Sequence, residues 1–326
     1  MMKALREKTT KRHKGVFRKT AAGLLLVLTI LLGTACGNPQ TGETQTKTDD
    51  KGFYSYDGYV VKFDYPLDED SVSKAADKLN RIYEMYLEGK NVKTYYSIVP
   101  DKNYCIGEEA GVDTIDYDRL AEIMATETKQ MEYIDITDLL DITDYYKTDA
   151  HWRQERIQDV ADRLAEGMGA SLSATYETKT AAEGFIGAYG RQSDLEMEPE
   201  SLNYLQNEIL DSCKVTDYET GDTIPVYDLS KAASDEGEGY DMFLGGAKSL
   251  ITVENPNCKA GRELVVFRDS FASSLAPLFI EGYSKITLVD IRYLPTEMVG
   301  RFVTFDSQDV LFLYSTPVLN NSVTMK

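Results

Sequence analysis

The chain has 326 residues, is 42% hydrophobic and 27% charged, and carries a formal net charge of −19. This composition excludes a disordered, collagen-like or coiled-coil protein, and the length fits one large domain or two small ones. Eight of the 35 Lys and Arg lie in residues 1–35 against the single acid Glu7, which leaves 27 basic and 53 acidic residues, a net of −26, from Cys36 onward. So acidic a body does not hold a phosphate backbone or adhere to anionic headgroups, so no nucleic-acid partner is expected.

Residues 1–35 read as a secretory signal. Basic residues run up to Lys19, an apolar stretch covers 21–32, and Gly33-Thr34-Ala35 precedes Cys36. The stretch is too short for a transmembrane helix. Small residues ending in Cys resemble the lipobox of bacterial lipoproteins, with Gly33 where that pattern has an apolar residue. The resemblance implies that Cys36 becomes a lipidated N-terminus. The membrane is then met only through this anchor, on the extracytoplasmic face of the bacterial cell membrane. Residues 36–52 are polar, lack an apolar period and read as a flexible tether with a reach of roughly 20 Å.

Within 53–326, Val72, Ala75, Leu79, Ile82 and Tyr86 recur at helical spacing, and Gly89 closes the run. Residues 92–99 form a strand that stops at Pro100. A helix is expected over 117–125, a short strand over 131–134, and a helix over 152–168 with Ile157, Val160, Ala161, Leu164 and Met168 on one face. Strands at 263–267, 286–289 and 310–314 alternate with helical patterns at 272–280, where Pro277 intrudes, and at 296–302. Apolar strands without alternation, separated by helices, indicate an α/β fold: a mostly parallel sheet in three layers with helices on both faces. Residues 194–241 interrupt this order with fourteen acids and two bases, a net of −12, and read as a solvated acidic insertion with local helix near 202–210.

Cys105, Cys213 and Cys258 have no C-x-x-C spacing and no Cys/His cluster, so no metal is expected; they read as buried or incidental thiols, with one disulfide open to an exported chain. With no Walker loop and no G-x-G-x-x-G after a strand, no cofactor is expected either.

The chain has two histidines, His13 in the signal and His151, so any imidazole chemistry of the mature protein falls on His151. Asp149, two residues before it, is placed to accept from one ring nitrogen and leave the other as a base. Alternatively, Thr148 or Asp149 simply caps a helix whose first turn holds His151. Ser270 stands in Arg268-Asp269-Ser270-Phe271, between a strand and a helix, where a hydroxyl meets the carboxyl edge of the sheet and free helix-start N–H groups. Here too the bland alternative is an N-cap. Together the two motifs are the parts of a Ser-His-Asp triad.

Thr148-Asp149-Ala150-His151-Trp152 resembles the Asp-His-His-Trp signature of the bacterial DHHW protein family, with Ala150 in place of its first His. Val99-Pro100-Asp101-Lys102, the block 184–189, the block 243–246, the run 264–271, Pro277-Leu278 and the run 289–293 resemble further blocks of that family. The family is similar to the SGNH-like O-acetyltransferases of alginate and related polysaccharides, whose Asp-x-His motif also precedes the Ser motif. The resemblance implies an SGNH-like fold, Ser270 as nucleophile, His151 as base and Asp149 as orienting carboxylate. Arg292 and Tyr293 after a later strand, and Gly245 and Gly246, are its weaker candidates for substrate or oxyanion contacts. The usual Gly-Asp-Ser is Arg268-Asp269-Ser270 here. The expected activity is a surface-anchored serine esterase or O-acetyltransferase acting on polysaccharide, with a partner that delivers the acyl donor compatible with it. The competing class is a non-catalytic glycan- or partner-binding lipoprotein on a degenerate SGNH-like fold, to which the tyrosines of 54–59 would lend stacking surfaces; a solute-binding lipoprotein is a third.

Overall fold

The computed structural model describes residues 45–232, 239–259 and 261–326. The expected signal, Cys36 and the first part of the tether lie outside them.

An N-terminal three-stranded antiparallel sheet comprises β1 (Lys47–Thr48), β2 (Phe53–Tyr56) and β3 (Tyr59–Lys62). The end of the expected tether is therefore structured. Asp49 accepts the N–H groups of Lys51 and Phe53 to form a turn, and Thr46 Oγ1 donates to the Ala110 carbonyl at 2.6 Å. A two-residue edge strand held by backbone pairing needs no apolar period, so the sequence pattern does not reveal it.

The main sheet contains β4 (Lys93–Val99), β5 (Glu132–Tyr133), β8 (Lys214–Asp217), β9 (Thr223–Ile224), β10 (Leu250–Glu254), β11 (Glu263–Arg268), β12 (Lys285–Val289) and β13 (Asp309–Ser315), in the order β5-β4-β13-β11-β12-β10-β8-β9. The first five are mutually parallel, and β10, β8 and β9 extend them antiparallel. Helices α1 (Glu69–Ile82) and α3 (Tyr117–Glu127) cover one face. Helices α4 (Gln158–Gly167) and α5 (Ala272–Phe279) cover the other, and α2 (Lys102–Ala110) follows β4.

Strand β11 shows why central strands read as continuous apolar runs. Leu264 and Val266 face the core under α4 and α5, while Val265 and Phe267 face the core under α1 and α3. Phe267 stacks on Phe312 of β13 at 4.8 Å between centroids. Helix α1 starts where the Asp68 carboxylate caps the Ser71 N–H, and it buries Val72, Ala75, Ala76, Leu79 and Ile82 as its spacing requires.

The acidic insertion is not a passenger. It carries β7 (Glu200–Gln206), paired antiparallel with β6 (Glu177–Phe185), and it supplies β8 and β9 to the main sheet. The helix expected near 202–210 is this strand followed by a short helical turn, Glu208–Ser212, because Leu202, Tyr204 and Leu205 bury against a ribbon partner. Tyr54 and Tyr59 are buried, with Tyr54 donating to Asn103 Oδ1 at 2.9 Å, so the 54–59 segment offers no stacking surface from these rings. Cys105, Cys213 and Cys258 are unpaired. No helix among the described residues is long and apolar enough to cross a membrane.

Candidate active site

Helix α4 begins at Gln158, not at Trp152. Residues 145–152 instead form a loop closed by a bridge between Tyr145 and Trp152 and by a bond from the Tyr146 N–H to the His151 carbonyl. Trp152 does not open a helix here because its backbone is paired with Tyr145, and its buried indole N–H reaches the start of α5, to the Phe271 carbonyl at 3.1 Å and Ser274 Oγ at 3.0 Å.

Asp149 does not cap the helix that follows it in the chain; it closes its own loop and holds that loop to the start of the short helix Ala188–Gln192. Its carboxylate accepts the His151 N–H at 3.0 Å, the Ala188 N–H at 2.7 Å and His151 Nδ1–H at 2.6 Å. Burial pushes this carboxyl up, and the His151 ring and the N–H donors more than reverse that, down to about 2. Asp149 is thus an ionised acceptor, which places the imidazole proton on Nδ1 and leaves Nε2 basic. Nε2 lies 2.7 Å from Ser270 Oγ and accepts its hydroxyl proton. Asp149 and His151 are buried, whereas Ser270 is half-buried, so the chain of hydrogen bonds runs outward from the carboxylate to the least buried of the three residues.

The serine is held from both sides. Asp269 Oδ1 accepts the Phe271 N–H at 3.0 Å, and Oδ2 accepts the Ser315 N–H at 2.7 Å at the end of β13. The N-cap of α5 is Phe271, so neither Asp269 nor Ser270 is the expected cap. In this turn the Phe271, Ala272 and Ser273 amides have local acceptors, and the Ser270 N–H has none among the described residues. Arg268, fully buried, donates to Ser273 Oγ at 2.8 Å and to the Lys248 carbonyl at 3.2 Å, bracing the turn where a glycine was the usual residue.

Several residues that sequence did not single out hold the Asp149 loop. Glu200 of β7 accepts the Thr148 N–H and Oγ1–H, each at 2.8 Å, and pairs with Arg153. In its stretch of acids it looked like surface charge. Lys102 is buried, and Nζ donates to the carbonyls of Val60, Tyr146 (3.2 Å) and Lys147 (3.3 Å), tying the N-terminal sheet to the loop. Burial drives its ammonium down to about 7 against the pull of Asp149 and Glu200. Gly187 lies so close to Asp149 that a Cβ there would sit 2.3 Å from its carboxylate. The Tyr240 ring covers His151. Lys102 and Gly187 lie in blocks that carried the resemblance, while Glu200 and Tyr240 carried no signal.

The weaker candidates make no hydrogen bond to Ser270 or His151. Arg292 is engaged in a two-pronged pair with Asp290, at 2.9 and 2.7 Å, and Tyr293 is largely exposed; no hydrogen bond joins either to Ser270 or His151. Gly246 spends its N–H on the Phe243 carbonyl at 3.0 Å, so it is no oxyanion donor, and both Gly245 and Gly246 serve a left-handed turn (φ +76° and +80°).

The chain matches no protein-family model and no curated protein sequence. Solved structures do match. A DHHW family protein from Eubacterium siraeum aligns with a TM-score of 0.66 and 21% identity over 86% of this chain and 96% of its own. Bacillus cereus PatB1, in a structure with a sulfonyl adduct, aligns with a TM-score of 0.62 and 17% identity over 83% of this chain and 95% of its own. The O-acetyltransferase domain of Pseudomonas putida AlgJ aligns with a TM-score of 0.51 and 12% identity over 85% of this chain and 92% of its own. The chain is therefore similar in fold to a DHHW family protein and to SGNH-like O-acetyltransferases, the group its sequence resembles.

Proposed function

We propose that this protein is a serine acyl-transfer enzyme, an O-acetyltransferase or esterase acting on extracellular or cell-wall polysaccharide, tethered to the membrane through a lipid on Cys36. The observation that carries the reading is the line of short hydrogen bonds from buried Asp149 through His151 to the half-buried Ser270 hydroxyl. Neither a helix cap nor a structural histidine requires this alignment.

In the first half-reaction His151 Nε2 takes the Ser270 proton as Oγ attacks the acyl carbonyl carbon. The Ser270 N–H, without an internal acceptor, faces the negative charge that develops on the carbonyl oxygen. Collapse breaks the bond to the leaving alkoxide, which takes the proton from His151 and leaves an acyl ester on Ser270. In the second half, a sugar hydroxyl or water gives its proton to His151 and attacks the ester carbonyl; the bond to Ser270 Oγ breaks, and Oγ takes the proton back from His151. Asp149 keeps the tautomer fixed and stabilises the imidazolium in both halves.

The test is turnover of 4-nitrophenyl acetate by the full chain, with mass spectrometry of the quenched enzyme. An acetyl group on the peptide containing Ser270, lost together with turnover in Ser270→Ala, is the expected result. Equal turnover by wild type and Ser270→Ala, or none by either, supports the non-catalytic binding class instead.

A further inference from the structure

The Tyr240 ring lies flat against the His151 imidazole, with centroids 3.8 Å apart and planes 3° from parallel. Its hydroxyl is 2.8 Å from Ser274 Oγ, which also accepts the Trp152 indole N–H at 3.0 Å. Ser274 lies in the first turn of α5, whose N-cap, Phe271, directly follows Ser270. The nucleophile and the anchor of the ring that covers the base thus stand at the same end of α5. The circuit closes on itself, because Trp152 directly follows His151.

We propose that Tyr240 is a positioning residue for acyl transfer: it fixes the imidazole plane so that Nε2 points at Ser270, and its π face stabilises the imidazolium formed in the transition state. The inference rests on the acyl-transfer reading above. A neutral imidazole gains little from an aromatic face, whereas a cation is attracted to its quadrupole. The contribution therefore falls on the transition state, and so on kcat rather than KM. Among the described residues, Asp149 occupies the Nδ1 edge, and the other ring beside His151, Phe271, is tilted by 57° at 4.9 Å rather than stacked on it.

The experiment compares Tyr240→Leu and Tyr240→Phe with wild type on 4-nitrophenyl acetate, with thermal melting alongside. Leu keeps apolar cover without a π face, and kcat is expected to fall about tenfold, equivalent to about 1.4 kcal/mol, with KM unchanged. Phe keeps the face and loses only the bond to Ser274, so it stays within about threefold of wild type. If Tyr240→Leu fails to fold, Tyr240→Met, whose flexible chain refills the space, replaces it. A folded Leu or Met variant with wild-type kcat overturns the inference, as does a Phe variant that falls as far as they do. An inactive wild type overturns the acyl-transfer reading and this inference with it, whereas an active wild type with an indifferent Leu variant overturns the inference alone.

Discussion

Gly187→Ala tests whether the site depends on the placement of Asp149. The backbone at Gly187 has φ −76° and ψ −175°, which alanine adopts freely, so the substitution carries no conformational penalty. Its effect is steric: the new Cβ would fall 2.3 Å from both Cβ and Oδ2 of Asp149, where an ordinary contact begins at 3.4 Å. One partner must move by about 1 Å, a misplacement that costs about 100-fold in rate. Asp149 is fixed by three hydrogen bonds, two of them to His151, so the shift passes directly to the imidazole. We expect kcat on 4-nitrophenyl acetate to fall about 100-fold, near 2.7 kcal/mol, with a stability loss of about 1–3 kcal/mol from overpacking. Gly184→Ala is the control: at φ +81° with nothing within 4 Å of the new Cβ, it strains the backbone but leaves kcat unchanged. A folded Gly187→Ala enzyme within threefold of wild-type kcat would refute the reasoning.

Asp149→Asn keeps the shape but removes the acceptor that fixes the tautomer, and kcat should fall by about 10⁴; a loss below tenfold would show that the ring is oriented by other groups. Folded Asp149 stays ionised down to about pH 2 against an ordinary value of 3.8, so its stabilisation is complete above about pH 4 and is lost as pH falls through 2. The gap in melting midpoint between wild type and Asp149→Asn should therefore narrow from pH 5 to pH 2, and a constant gap contradicts this. Lys102→Met strips the donor from three carbonyls and should cost about 3 kcal/mol in denaturant melts along with part of kcat, since the same loop carries His151; a variant as stable as wild type would mean those carbonyls find other partners.

The layers were legible because helices and central strands announce themselves by different periods. Leu264–Val265–Val266–Phe267 has no alternation because both faces are covered, and the apolar stripe of α1 sits at helical spacing because only one side is. Elements that bury little, or only part of one face, were not legible. Strand β7 looked helical because Leu202 and Leu210 suit either period, and its ribbon partner β6 lies outside any local window. The site divided the same way. Ser270 and His151, which the structure brings within hydrogen-bond distance, were singled out because a chain with so few histidines leaves one choice, and because a serine at a strand exit has a stereotyped place in open α/β sheets. Glu200 was missed because a carboxylate that accepts three N–H and O–H donors and pairs with an arginine cannot be told from thirteen other acids in its segment without the fold.

The two halves of the site are 119 residues apart, and what joins them is not the Ser270–His151 bond itself. Trp152 and Gln154, the residues just after His151, reach across to α5: the indole N–H to the Phe271 carbonyl and Ser274 Oγ, and Gln154 Nε2 to the Ser274 carbonyl at 2.7 Å. Gln154 Oε1 in turn accepts the Leu205 N–H at 2.8 Å, which links the same helix to β7 of the acidic segment. Each of these bonds is buried, where an unmet donor or acceptor is costly, so the loop has few alternative seats. The order of the motifs along the chain is then immaterial. An Asp-x-His loop that precedes the serine serves as well as one that follows it, provided the residues behind the histidine are tied to the helix that carries the serine.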